Sequence, residues 1–205
     1  MNKEITLAFD TCLDKMYLTL MSGDEISDSR IVENHDEKYH SAFLISTIKE
    51  VLKKSGLRPE NINLIATNIG PGSFTGIRAC TTVARVMAQQ LGCKAIGVSS
   101  LEILSKLGDR NTIVALDARK EKAYLYMDNE IKGAVPLDDV KVLSQGKNII
   151  TDDKLQPILG GTSYQSISAN LGDILAKLAI EKSLETDCDW RKLKPLYIQP
   201  PPMGK

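Results

Sequence analysis

The strongest constraint on this chain is a repeat of its own opening. Residues 5–18 align without gaps to residues 112–125, with Ala8 answering to Ala115, Asp10 to Asp117, Lys15 to Lys122, Tyr17 to Tyr124 and Leu18 to Leu125. Each copy reads as an apolar strand ending on an aspartate, a tight turn and a returning strand. Each copy leads later to a strand, a glycine-rich turn and a helix, at residues 69–77 and 159–164. A duplicated unit of this kind predicts two related lobes, each a mixed sheet with helices, in an α/β protein. The boundary is expected between residues 1–98 and a smaller lobe at 99–205.

Hydrophobic periodicity fills in the elements. Residues 5–9, 16–21 and 26–32 read as an antiparallel meander. Residues 40–54 read as a helix, 64–69 as a buried strand, 77–91 as a helix closed by Gly92, and 94–98 as a strand. Ser99 or Ser100 caps a helix over 101–106. In the second half, 112–116 and 123–127 form a hairpin, 135–142 is weakly structured, 156–159 is a short strand, and a helix capped by Thr162 or Ser163 runs to about residue 185. Pro200 to Pro202 form a tail that cannot continue a helix.

Charge narrows the function. Lysine plus arginine number 26 and aspartate plus glutamate 26, giving zero net charge. Phosphate contacts supply most nucleic-acid affinity, so a neutral chain is expected to reach nucleic acid only through a partner. No apolar run approaches a membrane span, and the first residues lack a signal-peptide pattern, so a cytoplasmic protein is expected. Cys12, Cys80, Cys93 and Cys188 form no Cys-x-x-Cys pair and read as reduced, mostly buried thiols. His35 and His40 are wrongly spaced for a shared helix face, and no metal site is expected.

Two features could carry chemistry. The loop Gly70-Pro71-Gly72-Ser73-Phe74-Thr75-Gly76 joins a buried strand to a helix, where backbone N–H groups and a helix dipole converge on an anion. Its spacing is neither Walker nor Gly-x-Gly-x-x-Gly, so the glycines equally serve a tight turn and close helix packing. Arg78 either pairs with an anion or sits in a surface ion pair. Asp10 and Asp117 end equivalent strands and could hold a hydrated magnesium or act as acid and base across a cleft. Alternatively, each bonds its own turn. Asp10, Thr11, Gly70, Gly72, Ser73, Thr75, Gly76, Arg78 and Asp117 are therefore the candidate anion- or nucleotide-facing residues. Thr11, Cys12 and Leu13 stand where a nucleotide kinase of such architecture would want glycines.

The two helices of the first half carry wide apolar stripes. That width suggests faces turned to a second lobe or to another subunit. His40, Leu44, Ile48 and Leu52 on the first, with Ile77, Cys80, Thr81, Ala84, Met87 and Ala88 on the second, are the candidate partner interface.

In order along the chain come Ala8-Phe9-Asp10-Thr11, His40-Ser41 opening a helix, Gly70-Pro71-Gly72-Ser73-Phe74-Thr75-Gly76-Ile77-Arg78, Asp117-Ala118-Arg119 and Pro195-Leu196-Tyr197-Ile198. With these motifs the chain resembles the bacterial TsaB (YeaZ) family, a set of peptidase M22-like proteins. The resemblance spans essentially the whole chain and is weakest over 132–154. It implies an actin-like, Hsp70-like ATPase (ASKHA) fold. It also implies a place in making threonylcarbamoyladenosine beside the anticodon of tRNAs that read codons beginning with A.

In that family the larger paralogue TsaD performs the transfer and TsaE is an ATPase that joins the complex. The implied role here is a non-catalytic partner. It would pair with TsaD through a helical bundle, form a homodimer through the same surface when alone, and reach tRNA only within the complex. No tightly bound cofactor is implied, and ATP or ADP only in the assembled complex. The paralogue's metal comes from a His-x-x-x-His motif that this chain lacks. Cys12 stands where the family usually has serine, and Cys80 where glycine is common.

Three other readings compete: a small phosphotransferase of the same fold, a nucleotide-binding homodimeric scaffold, and a metallopeptidase. The first wants glycines around Asp10, and the last wants metal ligands.

Overall fold

Each half of the chain builds a five-stranded sheet, and the two sheets share one strand order. The computed structural model describes residues 3–33 and 40–199, with the side chains of His40 and Ser41 outside that description. His35 and the tail Pro200 to Pro202 therefore also lie outside it.

In the first sheet, β1 (Ile5–Asp10), β2 (Met16–Ser22) and β3 (Glu25–Val32) form an antiparallel meander. β4 (Ile62–Asn68) and β5 (Lys94–Val98) run parallel to β1, giving the order β3-β2-β1-β4-β5. Helix α1 (Leu44–Lys54) follows a single 3-10 turn at His40–Phe43, and α2 (Phe74–Leu91) connects β4 to β5. A short α3 (Ser100–Ser105) leaves the sheet.

The second sheet uses β6 (Thr112–Asp117), β7 (Lys122–Met127), β8 (Glu130–Pro136), β9 (Asn148–Thr151) and β10 (Thr162–Ser163). Its order is β8-β7-β6-β9-β10, again two antiparallel and two parallel pairings. Helices α4 (Leu137–Leu143) and α5 (Gln156–Leu159) cap its small core of Ile113, Ala115, Leu125, Val140, Ile149 and Leu155.

Alternation along β1 divides the first unit into two faces. Leu7 and Phe9 point to the main core, with Leu18, Leu20 and Ile65 and the inner sides of α1 and α2. Thr6, Ala8 and Asp10 point the other way. The helix α6 (Leu171–Ser183) packs on that second face of β1 and β2. Its approach is close, because a Cβ at Gly172 would press on the Thr19 hydroxyl. Asp173 Oδ1 accepts from Thr19 Oγ1 at 2.6 Å and from Ser29 Oγ at 2.9 Å, fastening the helix to β2 and β3.

Several expectations change. Residues 170–195 belong to the first compact unit, with residues 3–100, while 101–169 and 196–199 belong to the second, so the chain crosses at 100/101 and then twice more. The helix expected from 162 begins at Leu171, capped by Asn170, whose side chain accepts from Gly172 N. Before it lie β10 and a 3-10 turn at Tyr164–Ser166. The strand expected at 156–159 is one helical turn, and the strands of this half that pair in parallel are β9, with β6, and β10, with β9. Residues 135–142, read as weakly structured, supply the end of β8 and most of α4.

The repeat itself slips on its returning arm. Asp10 pairs with Tyr17, but Asp117 pairs with Ala123, so the second turn is one residue shorter. Tyr17 and Tyr124 are therefore out of register and point to opposite faces. Among the described residues, no helix is long and apolar enough to cross a membrane.

Candidate functional site

β1 delivers Asp10 to the end of the sheet with no exposed surface. Its Oδ1 accepts from the backbone N–H of Cys12 at 2.6 Å, a turn bond of aspartate to its second neighbour. Its Oδ2 accepts from Asn68 Nδ2 at 2.9 Å. Asn68, also fully buried, accepts on Oδ1 from Gly70 N at 2.8 Å and from Ser100 Oγ at 3.0 Å; Ser100 Oγ also lies 2.6 Å from the Pro71 carbonyl. Ser100 N then donates to Gly70 O at 2.9 Å. A continuous polar chain thus joins the ends of β1 and β4 to the start of α3, and fixes where the glycine loop leaves the sheet.

The loop then lies down on the turn after Asp10. Ser73 N donates to Cys12 O at 2.7 Å. A Cβ at Gly72 would overlap the Cys12 carbonyl oxygen, and one at Gly76 the Thr11 carbonyl oxygen. The glycines are required by backbone against backbone, which is the packing reading of this loop. Thr11 Oγ1 donates to Gly76 O at 2.9 Å, and Thr11 N donates to Cys80 Sγ at 3.0 Å. Cys12 Sγ donates to Asn68 O at 3.3 Å; burial, and then the neighbouring Cys80 and Asp10, push its thiol well above the usual range. Thr11, Cys12 and Leu13 are all buried, so the turn after Asp10 is closed by the chain's own loop.

The exposed rim consists of Gly72, Ser73, Phe74, Thr75 and Arg78. Ser73 caps α2, its Oγ accepting from Gly76 N at 3.3 Å. The Arg78 guanidinium stacks 3.9 Å above the Phe74 ring.

Asp117 lies in the second unit and makes the same kind of turn bond, Oδ1 accepting from Arg119 N at 2.7 Å. Its Oδ2 meets Lys154 Nζ at 3.3 Å, and its N–H donates to Asp152 Oδ2 at 2.6 Å. The turn continues through Arg119, Lys120 and Glu121, all at positive φ. Both aspartates thus make turn bonds within their own units, the turn-forming one of the two readings.

Among the described residues, the group of His, Cys, Asp and Glu dense enough for a metal is Asp10, Cys12 and Cys80. It does not fit a catalytic metal. Such a centre keeps an open position for water or substrate, and this group is sealed, with its carboxylate and Cys80 sulfur already accepting N–H bonds.

The interface residues read from the sequence lie inside the chain. Leu44, Ile48, Leu52, Ile77, Cys80, Thr81, Ala84 and Ala88 are buried in this unit's own core, and Met87 is partly buried against it. His40's side chain falls outside the described residues. The wide stripes serve the core of the first unit. What the two helices leave outside is Ile45 on α1 with Phe74 and Val86 on α2, Val86 being 52% exposed. Reading the sequence also missed Asn68 and Ser100 as members of the polar chain. The signal was a polar pair, Thr67 and Asn68, ending an otherwise apolar strand.

Comparisons with known proteins bear on this arrangement. Residues 30–140, just over half of the chain, match the family model described as TsaD: tRNA N6-adenosine threonylcarbamoyltransferase. The chain is similar to the tRNA threonylcarbamoyladenosine biosynthesis protein TsaB of Bacillus subtilis, 28% identical over 141 residues, covering 65% of this chain and 61% of that protein. It is 26% identical over 125 residues to the protein of that name from Buchnera aphidicola of Acyrthosiphon pisum, covering 58% and 55%. The chain thus spans between half and two thirds of these relatives. The structure of YeaZ from Pseudomonas aeruginosa superposes with a TM-score of 0.74 at 20% identity, over 95% of this chain and 99% of that one, which establishes a shared fold.

Proposed function

Because the chain belongs to the TsaD family and is TsaB-like within it, with the actin-like fold of two related sheets, we propose that it acts in tRNA threonylcarbamoyladenosine biosynthesis as a non-catalytic partner of TsaD. The observation that carries this reading is the closed turn after Asp10. A phosphotransferase of this architecture needs an open turn there, where the chain can approach phosphates. Here the Gly70 to Gly76 loop fills that approach, and Asp10 spends both oxygens on its own backbone and Asn68. The same closure weighs against a free-standing nucleotide-binding scaffold, and leaves ATP or ADP to the assembled complex.

The partner surface is the outer face of α1 and α2, around Ile45, Phe74 and Val86, rather than the buried stripe. In isolation that face would pair with a second copy; in the cytoplasm it would take TsaD, with TsaE joining afterwards and tRNA reached through the complex. The zero net charge supports an indirect hold on tRNA.

The test is light scattering after size-exclusion chromatography, on the chain alone and mixed with TsaD of the same organism. A one-to-one complex should form at the expense of any homodimer. Ile45→Glu and Val86→Glu should each weaken it at least tenfold while leaving the circular-dichroism melt unchanged. Folded variants that still bind TsaD with full affinity would reject this surface, and failure of the parent chain to bind at all would reject the partnership.

A further inference from the structure

Cys12 and Cys80 are 68 positions apart in sequence, yet their sulfurs lie within 4.8 Å of each other in a site with no solvent exposure. Neither is used by the function proposed above. They face each other across a close backbone approach, where a Cβ at Gly76 would overlap the Thr11 carbonyl oxygen. Cys12 sits on the β1–β2 turn, and Cys80 one helical turn beyond Gly76 on α2, where the missing Cβ lets helix and turn backbones touch. The main chain brings the sulfurs together, and a hydrogen bond between the two thiols joins them.

We infer that Cys12 and Cys80 form a dithiol pair that closes to a disulfide in the presence of a hydroperoxide, covalently pinning the β1–β2 turn to α2. One thiolate attacks a peroxide oxygen, giving a sulfenic acid and releasing the alcohol or water. The second thiol sulfur attacks the sulfenic sulfur, forming the S–S bond and expelling water. Two S–H bonds are lost and one peroxide is reduced, so atoms and electrons balance. A disulfide needs the sulfurs at about 2.05 Å, so closing the bond requires the two sulfurs to move together from within 4.8 Å.

The surroundings set the rate. Burial and the adjacent Asp10 carboxylate hold the Cys12 thiol protonated, and the thiolate is the reactive form. Oxidation therefore waits for the Gly70 to Gly76 loop to lift from the turn. A metal is the competing occupant of the same atoms. It is disfavoured because Asp10 accepts on both oxygens and Cys80 Sγ already accepts from Thr11 N.

The test is peroxide treatment of the full chain carrying Cys93→Ser and Cys188→Ser, at urea concentrations rising to just below the unfolding midpoint, followed by alkylation, trypsin and mass spectrometry. The expected product links the peptides of residues 4–15 and 79–85, lacks two hydrogens, reverts with dithiothreitol, and forms faster as urea rises. Adding Cys80→Ser should abolish it. The inference is overturned if no link forms at any urea concentration. It is also overturned if Cys12 proceeds to sulfinic acid without linking, or if one equivalent of zinc stays bound and blocks the reaction.

Discussion

Asp10 works as an acceptor on both oxygens, and its neighbours were chosen to donate. Replacing it with asparagine would set one amide N–H₂ against another at Asn68, or leave Cys12 N unpaired. Asp10→Asn should therefore lower unfolding free energy by about 1–3 kcal/mol, read from urea denaturation at neutral pH. The Cys12 thiol gives a pH dependence of its own. Its folded value is raised by burial first, so the unfolded chain loses this proton at lower pH than the folded one. The stabilisation is full below the unfolded thiol range and falls as pH rises above about 8.5. Urea midpoints should decline between neutral and alkaline pH, and Cys12→Ser should flatten that decline. Both turn-forming aspartates were legible in the sequence as one of two readings, because the bond runs only to the second neighbour. Asn68 and Ser100 were not, because their partners are 58 and 32 residues distant and only the folded sheet brings them together.

At the scale of the element, α2 shows why a broad apolar stripe does not announce a partner. Its buried positions Gly76, Ile77, Cys80, Thr81, Ala84 and Ala88 run along one side, and that side is consumed by the sheet. Ala84→Glu places a carboxylate in a site with no exposure; it should unfold the first unit rather than release a partner, losing the cooperative melt that Val86→Glu retains. Element types in the first half were legible because strand and helix periods are clear and Gly92, at φ 64°, ends α2 as its position suggested. The second half was harder. β9 has four residues and β10 two, too short for periodicity to register. The start of α6 was masked by Thr162 and Ser163, which also look like caps. On the returning arm of the repeat, the two matched pairs Tyr17/Tyr124 and Leu18/Leu125 are one place out of register, since an ungapped alignment is blind to a turn shortened by one residue.

For the whole molecule, the duplication stands on topology more than on identities: the same order of two antiparallel and two parallel pairings appears twice. The sequence could suggest this because each half opens with an aspartate-ended strand. It could not show that α6 returns to the first sheet, because a helix's apolar stripe does not say which sheet it covers. The return makes a sharp prediction. A chain truncated before Asn170 exposes the Ala8 and Thr19 face of the sheet and leaves Thr19 and Ser29 without Asp173. It should fail to give a cooperative thermal transition, and co-expression of the missing segment in trans should restore it if docking alone is needed. The same return sets an order of events on the ribosome. Residues 101–169 carry all five strands of the second sheet, which can pair as soon as they emerge, and only a short segment from Leu196 joins that unit later. The stretch made before them must wait, one face uncovered, until α6 leaves the exit tunnel. The half that is synthesised first is the half that matures last, and chaperones have that interval in which to meet it.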